Sequence, residues 1–292
     1  MSSYNLKRLL QPKSIALFGG LWIENVANQI KNSNFKGNVW PINPHRKSIA
    51  GYKCFQDISD LPGVPDTAFI GVNRTKTLEI LTKLNEVGCG GATCFAAGFS
   101  EVDKYGKQLQ KKLSKASKDM PFLGPNCYGY INYLDHIHMW PDQHGGKEVE
   151  KGVAIIAQSS NIAINLTMNT RSTPIAYVLT TGNQAKIDMS DLGLAMINDK
   201  RVTAIGIYIE GFKDIKKFEK MAFSALRSNI PIVVLKSGKT DLSKKQSFSH
   251  TASITGDSDI SSAFLKRLGI VEVDDLELFL ETLKVLNFNG RL

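Results

Sequence analysis

His250 lies in the stretch Ser247-Phe248-Ser249-His250-Thr251-Ala252-Ser253-Ile254-Thr255-Gly256. Hydroxyls, a glycine and little bulk surround it, whereas a histidine held in apolar packing is usually flanked by large side chains. A polar loop of this kind can wrap an anion, and its imidazole suits a nucleophile that carries a phosphoryl group. Such an imidazole needs one nitrogen free and the other held by an acceptor, which fixes the tautomer and steadies the charged intermediate. Glu210 fits the acceptor's part: it ends an apolar run, Ala204–Ile209, and is followed by Gly211. A third element is Gln158-Ser159-Ser160-Asn161, which places two hydroxyls at the start of a helix. The amides and positive dipole end of a helix favour phosphate. Each feature also has an ordinary reading: a surface histidine, a solvated acid at a strand end, and a serine N-cap.

The elements that must position these residues follow from the hydrophobic pattern. Short apolar runs alternate with amphipathic stretches, the pattern of a parallel sheet covered by helices. In the first half, strands are expected at Ser14–Phe18, Gly37–Asn43, Thr67–Val72, Gly91–Phe95 and Pro121–Leu123. Helices are expected near Asn25–Asn32, Lys76–Val87 and Tyr105–Ser117. From Ile131 to Lys151 the pattern lapses and reads as a connector. A second α/β unit follows, with strands at Val153–Ala157, Ala176–Thr180, Ala204–Glu210 and Pro231–Leu235. Its helices are expected at Ile162–Met168, Met189–Met196, Lys213–Arg227 and Asp259–Leu268. Ligands of such sheets collect at the carboxyl ends of the strands. Those ends carry Gly19-Gly20, Asn43, Ala97-Gly98 and Gly124-Pro125-Asn126 here.

Composition narrows the function classes. The 292 residues are 42% hydrophobic, enough for two domains with real cores. No apolar run approaches the roughly 18 residues that span a bilayer, and the N-terminus has no signal-like apolar segment. Membrane insertion is not expected. Four cysteines without CxxC or Cys/His zinc spacing point to reduced thiols and a cytoplasmic setting. His136, His138 and His144 are poorly spaced for a metal, and no metal site is expected. The net charge of +9 suits anionic ligands. The lysines are scattered, however, which argues against nucleic acid. Phe18-Gly19-Gly20 lacks the rest of a GxGxxG fingerprint, so NAD is not the expected ligand. Cys127 has no activating neighbour in sequence and reads as a buried structural thiol.

Several motifs, in order, resemble one family. They are Pro12–Ala16, Val39–Pro44, Ala97–Glu101, Leu123–Cys127, Ala157–Ser160, Thr181–Ala185, Tyr208–Gly211, Val234–Gly238 and Ser249–Thr251. From about Leu10 to Leu283 the chain resembles the N-terminal part of the NDP-forming acyl-CoA synthetases, which are related to the succinyl-CoA synthetase α subunit. The resemblance implies a Rossmann-like CoA-binding domain over residues 1–135, a connector over 136–151, and a flavodoxin-like ligase domain over 152–292. It implies phosphohistidine at His250, an orienting acid at Glu210, and a phosphate cradle at Gln158, Ser159 and Ser160. Coenzyme A would lie near Gly19, Gly20, Pro41, Asn43, Val72, Ala97, Gly98, Asn126 and Cys127. The implied reaction is ATP + carboxylic acid + CoA = ADP + phosphate + acyl-CoA. ATP/ADP with Mg2+ would bind an ATP-grasp module. No segment here resembles that module, which implies a further domain or a partner subunit and an oligomer. Two departures stand out. Ser160 occupies a position that is usually glycine in the family, and Leu21–Asn25 replaces a small, glycine-containing loop. The alternative function is a regulatory or acyltransferase-associated module, or a scaffold, that only binds CoA.

Overall fold

The computed structural model describes residues 4–169, 171–237 and 258–291. These residues pack as two units. One holds the chain up to Gln143 together with Gly182–Ile187, and the other holds the described parts of His144–Thr181 and of Asp188 onward. The sequence had placed 182–187 wholly within the second domain.

In the first unit, α1 (Lys7–Leu10) leads into β1 (Ser14–Gly19), α2 (Leu21–Asn32) and β2 (Asn38–Ile42). A two-stranded ribbon, β3 (Ser48–Ile49) and β4 (Tyr52–Lys53), turns at Ala50-Gly51. The sheet resumes with β5 (Thr67–Gly71), α3 (Arg74–Glu86), β6 (Ala92–Cys94), α4 (Lys104–Ala116) and β7 (Phe122–Leu123). Its strands are parallel in the order β2-β1-β5-β6-β7. Continuous apolar runs explain the parallel arrangement: Ile15, Ala16 and Leu17 of β1 and Ala68, Phe69 and Ile70 of β5 are all fully buried.

Two corrections arise here. Helix α2 begins at Leu21, four residues before the expected start, because Gly20 takes the N-cap position and no breaker follows it. The stretch read as a patternless connector contains an antiparallel hairpin, β8 (Tyr130–Asn132) with β9 (Ile137–Met139). Its strands are three residues each and buried on both faces, too short and too uniform to show a period of two.

The second unit runs β10 (Gly152–Ala157), α5 (Ser160–Met168), β11 (Ile175–Thr180), α6 (Met189–Ile197), β12 (Val202–Ile209), α7 (Ile215–Arg227) and β13 (Ile232–Lys236). After the undescribed residues come α8 (Ser258–Arg267), β14 (Val271–Val273) and α9 (Leu276–Asn289). Its strands are parallel in the order β14-β13-β12-β10-β11. Helix α9 lies close on β12, where a Cβ on Gly206 would sit 2.6 Å from both Leu283 and Phe279 side-chain atoms. In chain order within each unit, both sheets read 2-1-3-4-5. In that topology the crevice for a ligand opens between the first and third strands. Those strands are β1 and β5 in one unit, and β10 and β12 in the other.

Candidate active site

In the second unit, β10 ends at Ala157 and β12 at Ile209, so Gln158 and Glu210 emerge side by side at the crevice. Gln158 is 5% exposed. Its Oε1 accepts the Glu210 amide at 2.5 Å and the Gly211 amide at 3.0 Å. Its Nε2 is buried with no hydrogen-bond partner among the described residues. A side-chain amide has two donor hydrogens, and a buried donor of this kind matches an anionic oxygen. Ser159 N-caps α5, its Oγ accepting the Ile162 amide at 3.4 Å, and Ser160 is the first helical residue. The N-cap reading of Ser159 is therefore correct, and it leaves intact the dipole end that suits phosphate. Thr181, at the end of β11, is 1% exposed and donates its own amide to Ala157 at 3.0 Å. Lys236 closes β13 at 3% exposure. The sequence offers both residues only within the motifs Thr181–Ala185 and Val234–Gly238 and gives them no role, since nothing distinguishes a strand-end Thr or Lys until neighbouring strands are known. His250 lies outside the described residues.

The loops flanking this edge are braced by charge. Asp188 caps α6 through the Ser190 and Asp191 amides, and Asp191 returns a bond to the Asp188 amide. Lys217 Nζ reaches Asp191 at 2.5 Å and Asp188 at 3.0 Å. Burial works against the Lys217 charge, but the hydrogen bonds to Asp191 and Asp188 outweigh it and raise its pKa. Lys213 moves the other way, its pKa lowered chiefly by burial.

In the first unit, register aligns Gly19 of β1 with Gly71 of β5 at the corresponding crevice. Gly19 has φ +144°, and a Cβ there would stand 2.6 Å from the Gly71 carbonyl oxygen. Gly20 faces open space, with nothing within 4 Å of an added Cβ. Asn43 donates from Nδ2 to the Gly19 carbonyl at 2.7 Å, locking the turn from the end of β2. Val72 follows β5, and Ala97 is exposed beyond β6. Gly98 has φ +96°. Its amide donates to Glu101 at 2.7 Å, and its carbonyl accepts from Arg74 at 2.5 Å. Asn126, at φ +57°, donates its amide to Ala96 at 2.9 Å. Pro41 is buried within β2, and Cys127 is 1% exposed, so only the backbone of either can meet a ligand. Cys94 is fully buried too, and burial, with Cys127 alongside, pushes its thiol pKa well up. An aromatic row was not foreseen: Trp22 lies 4.8 Å from Phe95, and Phe95 5.6 Å from Tyr128. Trp22 remains 43% exposed on the first turn of α2.

One sheet thus has a glycine turn at its crevice, and the other a buried amide donor just before a helix. Residues 13–133 match the family model described as CoA binding domain, and residues 150–286 match that of the succinyl-CoA ligase like flavodoxin domain. The chain thus carries, in succession, a CoA binding domain and a succinyl-CoA ligase like flavodoxin domain.

Among curated relatives of this chain is the acetate–CoA ligase [ADP-forming] of Methanocaldococcus jannaschii, 34% identical over 282 residues; the match covers 94% of this chain and 39% of that protein. The alpha subunit of acetate–CoA ligase [ADP-forming] II from Pyrococcus furiosus is 28% identical, with 93% of this chain and 60% of that one covered. Among solved structures, the dinucleotide forming acetyl-coenzyme A synthetase 1 of Ca. Korarchaeum cryptofilum, in complex with phosphate and ADP, superposes with a TM-score of 0.88. It is 29% identical, and the match covers 98% of this chain and 63% of that one. The chain thus spans from 39% to 63% of the length of these relatives. Among the described residues, no helix is long and apolar enough to cross a membrane.

Proposed function

We propose that this chain is the CoA-binding, phosphohistidine-carrying part of an ADP-forming acyl-CoA synthetase. The observation that carries the reading is Gln158, which directly precedes the α5 cap: its carbonyl binds the backbone at Glu210 and Gly211, and its buried Nε2 is left without a partner among the described residues. A donor so placed suits a phosphate cradle, and it lies in the succinyl-CoA ligase like flavodoxin domain.

The glycine turns of the first unit fit coenzyme A. Gly20 leaves room at the amino end of α2, and Gly19, Gly98 and Asn126 form the positive-φ turns that shape the strand ends. Gly19, Gly20, Asn43, Val72, Ala97, Gly98 and Asn126 would hold it, with Pro41 and Cys127 contributing backbone. When bound, it supplies the thiol that accepts the acyl group.

His250 takes the γ-phosphoryl group of ATP on one imidazole nitrogen, while Glu210 holds the proton on the other. The carboxylate of the substrate acid then attacks phosphorus. The P–N bond breaks, and an acyl phosphate forms with the imidazole restored. Gln158 and the α5 amides, with Ser159 and Ser160, hold the phosphoryl oxygens through both transfers. When the acyl group leaves for a thiol, the C–O bond breaks and inorganic phosphate departs. Ser160 retains the backbone amide that a glycine would offer. ATP with Mg2+ binds an ATP-grasp domain or subunit, with which this chain assembles into an oligomer in the cytoplasm.

The reverse half-reaction tests the proposal without that partner. The chain, given acetyl-CoA and inorganic phosphate with hydroxylamine, is expected to yield acetyl hydroxamate in excess of a no-phosphate control. CoA binding with no phosphate-dependent product favours the regulatory-module reading instead.

A further inference from the structure

The segment Gly182–Ile187 follows β11 in sequence but packs within the first unit. Its backbone is bonded to the Gly124-Pro125-Asn126 turn: the Asn183 amide donates to Pro125 and the Ala185 amide to Gly124, each at 2.9 Å. Gly182 has φ +50°, and a Cβ there would lie 2.3 Å from the Asn126 carbonyl oxygen. Only glycine lets the segment come so close.

The side chain of Asn183 goes to the other turn. Its Nδ2 donates to Glu101 Oε2 at 2.5 Å and to Gln110 Oε1 at 3.0 Å. Both partners present acceptors, since Gln110 Oε1 also receives the Ser100 amide at 3.3 Å. The orientation of the Asn183 amide is therefore fixed, with one hydrogen for each oxygen. Glu101 uses its remaining oxygen to accept the amides of Gly98 at 2.7 Å and Phe99 at 3.2 Å. Arg74 holds the Gly98 carbonyl from the opposite side. The chain of contacts thus runs from Asn183 through Glu101 to the backbone of Gly98.

We infer that Asn183 is a positioning residue of the coenzyme A site, acting through the Glu101 carboxylate to fix the Gly98 turn. The inference rests on the CoA-site reading given above. Glu101 needs its second oxygen neutralised and held if its first is to keep two backbone amides aligned at a positive-φ glycine. Asn183 supplies that restraint from the segment that joins β11 to α6 in sequence and packs within the first unit.

Calorimetric titration of CoA into the full chain tests this. Asn183→Ala is expected to weaken CoA binding by about tenfold, the cost of one charge-assisted hydrogen bond. Glu101→Gln keeps an acceptor for Gly98 but turns a donor toward Asn183 Nδ2, and should give a similar loss. The exchanged pair Glu101→Gln/Asn183→Asp restores a bond of reversed polarity to residue 101 but sets a carboxylate oxygen against Gln110 Oε1, so it should recover only part of the affinity. A purely structural disturbance would not be rescued this way, and the pair still reads the link if Asn183→Ala fails to fold. Wild-type affinity in both single variants, or an exchanged pair no better than the singles, overturns the inference while leaving the CoA site standing. A wild-type chain that gives no heat with CoA overturns both.

Discussion

Gln158 Oε1 accepts the backbone amide of Glu210 at 2.5 Å, tying the carboxyl end of β10 to that of β12 across the crevice of the second sheet. The bond sets where the Glu210 side chain leaves the sheet, and a second bond to Gly211 stops the loop from sliding. Replacing Gln158 by Leu keeps the volume but strands two amides. With roughly 1–3 kcal/mol for each buried group left unsatisfied, the expected loss is about 2–6 kcal/mol. Urea unfolding of the two proteins checks it, and a loss below about 0.5 kcal/mol contradicts the described geometry.

The paired glycines of the first crevice should separate stability from binding. Gly19→Ala forces a Cβ against the Gly71 carbonyl at a backbone angle that side chains rarely adopt. It should cost about 2–3 kcal/mol. Gly20→Ala meets no protein atom, so it should leave the unfolding midpoint nearly unchanged while weakening CoA binding, because the added methyl occupies ligand space. Thermal melts and CoA titrations on the two variants give the comparison; equal effects on both quantities would argue against a ligand at this turn.

Trp22 should report occupancy. It is half-exposed beside Phe95 on the first turn of α2, whereas Trp140 is fully buried. CoA is expected to change the tryptophan emission of the wild type, and Trp22→Phe should abolish most of that change. Trp40, half-buried next to Pro41 on β2, is the other reporter in reach, so a signal that persists in both Trp22→Phe and Trp40→Phe places the ligand elsewhere.

An acid-side dependence follows from Asp199, 12% exposed in its side chain, which accepts from Arg201 at 2.9 Å and Tyr177 at 2.8 Å. Burial pushes its pKa up, but the Arg201 side-chain and backbone bonds and the Tyr177 hydroxyl outweigh that, and the net shift is downward from 3.8. A depressed carboxylate contributes stability that is present above the unfolded value and lost as pH falls through the folded one. Asp199→Asn should therefore destabilise the chain at pH 7, and the gap to the wild type should close as pH drops below 3.8. Urea midpoints measured from pH 7 down to pH 3 test the sign; a gap that widens on acidification would refute it.

The sequence exposed the sheets better than their connections. Buried parallel strands such as Ile15–Phe18 and Val153–Ala157 announce themselves as apolar runs, and Gly19-Gly20 and Gln158-Ser159-Ser160 mark their ends. The Tyr130–Met139 hairpin was hidden because both strands are short and wholly buried. Trp22 was read only as a departure from the family's small loop, since its place beside Phe95 depends on the β1–β5 pairing. Asn183 could not have been assigned to the first unit at all: its partners, Glu101 and Gln110, lie more than seventy residues away in sequence.

The claim on which the rest depends is that His250 carries a phosphoryl group. Incubating the chain with acetyl-CoA and radiolabelled inorganic phosphate should attach label that is stable to base and labile to acid, and His250→Asn should remove it. Label that survives His250→Asn, or no label in a wild-type chain that binds CoA, would contradict the account.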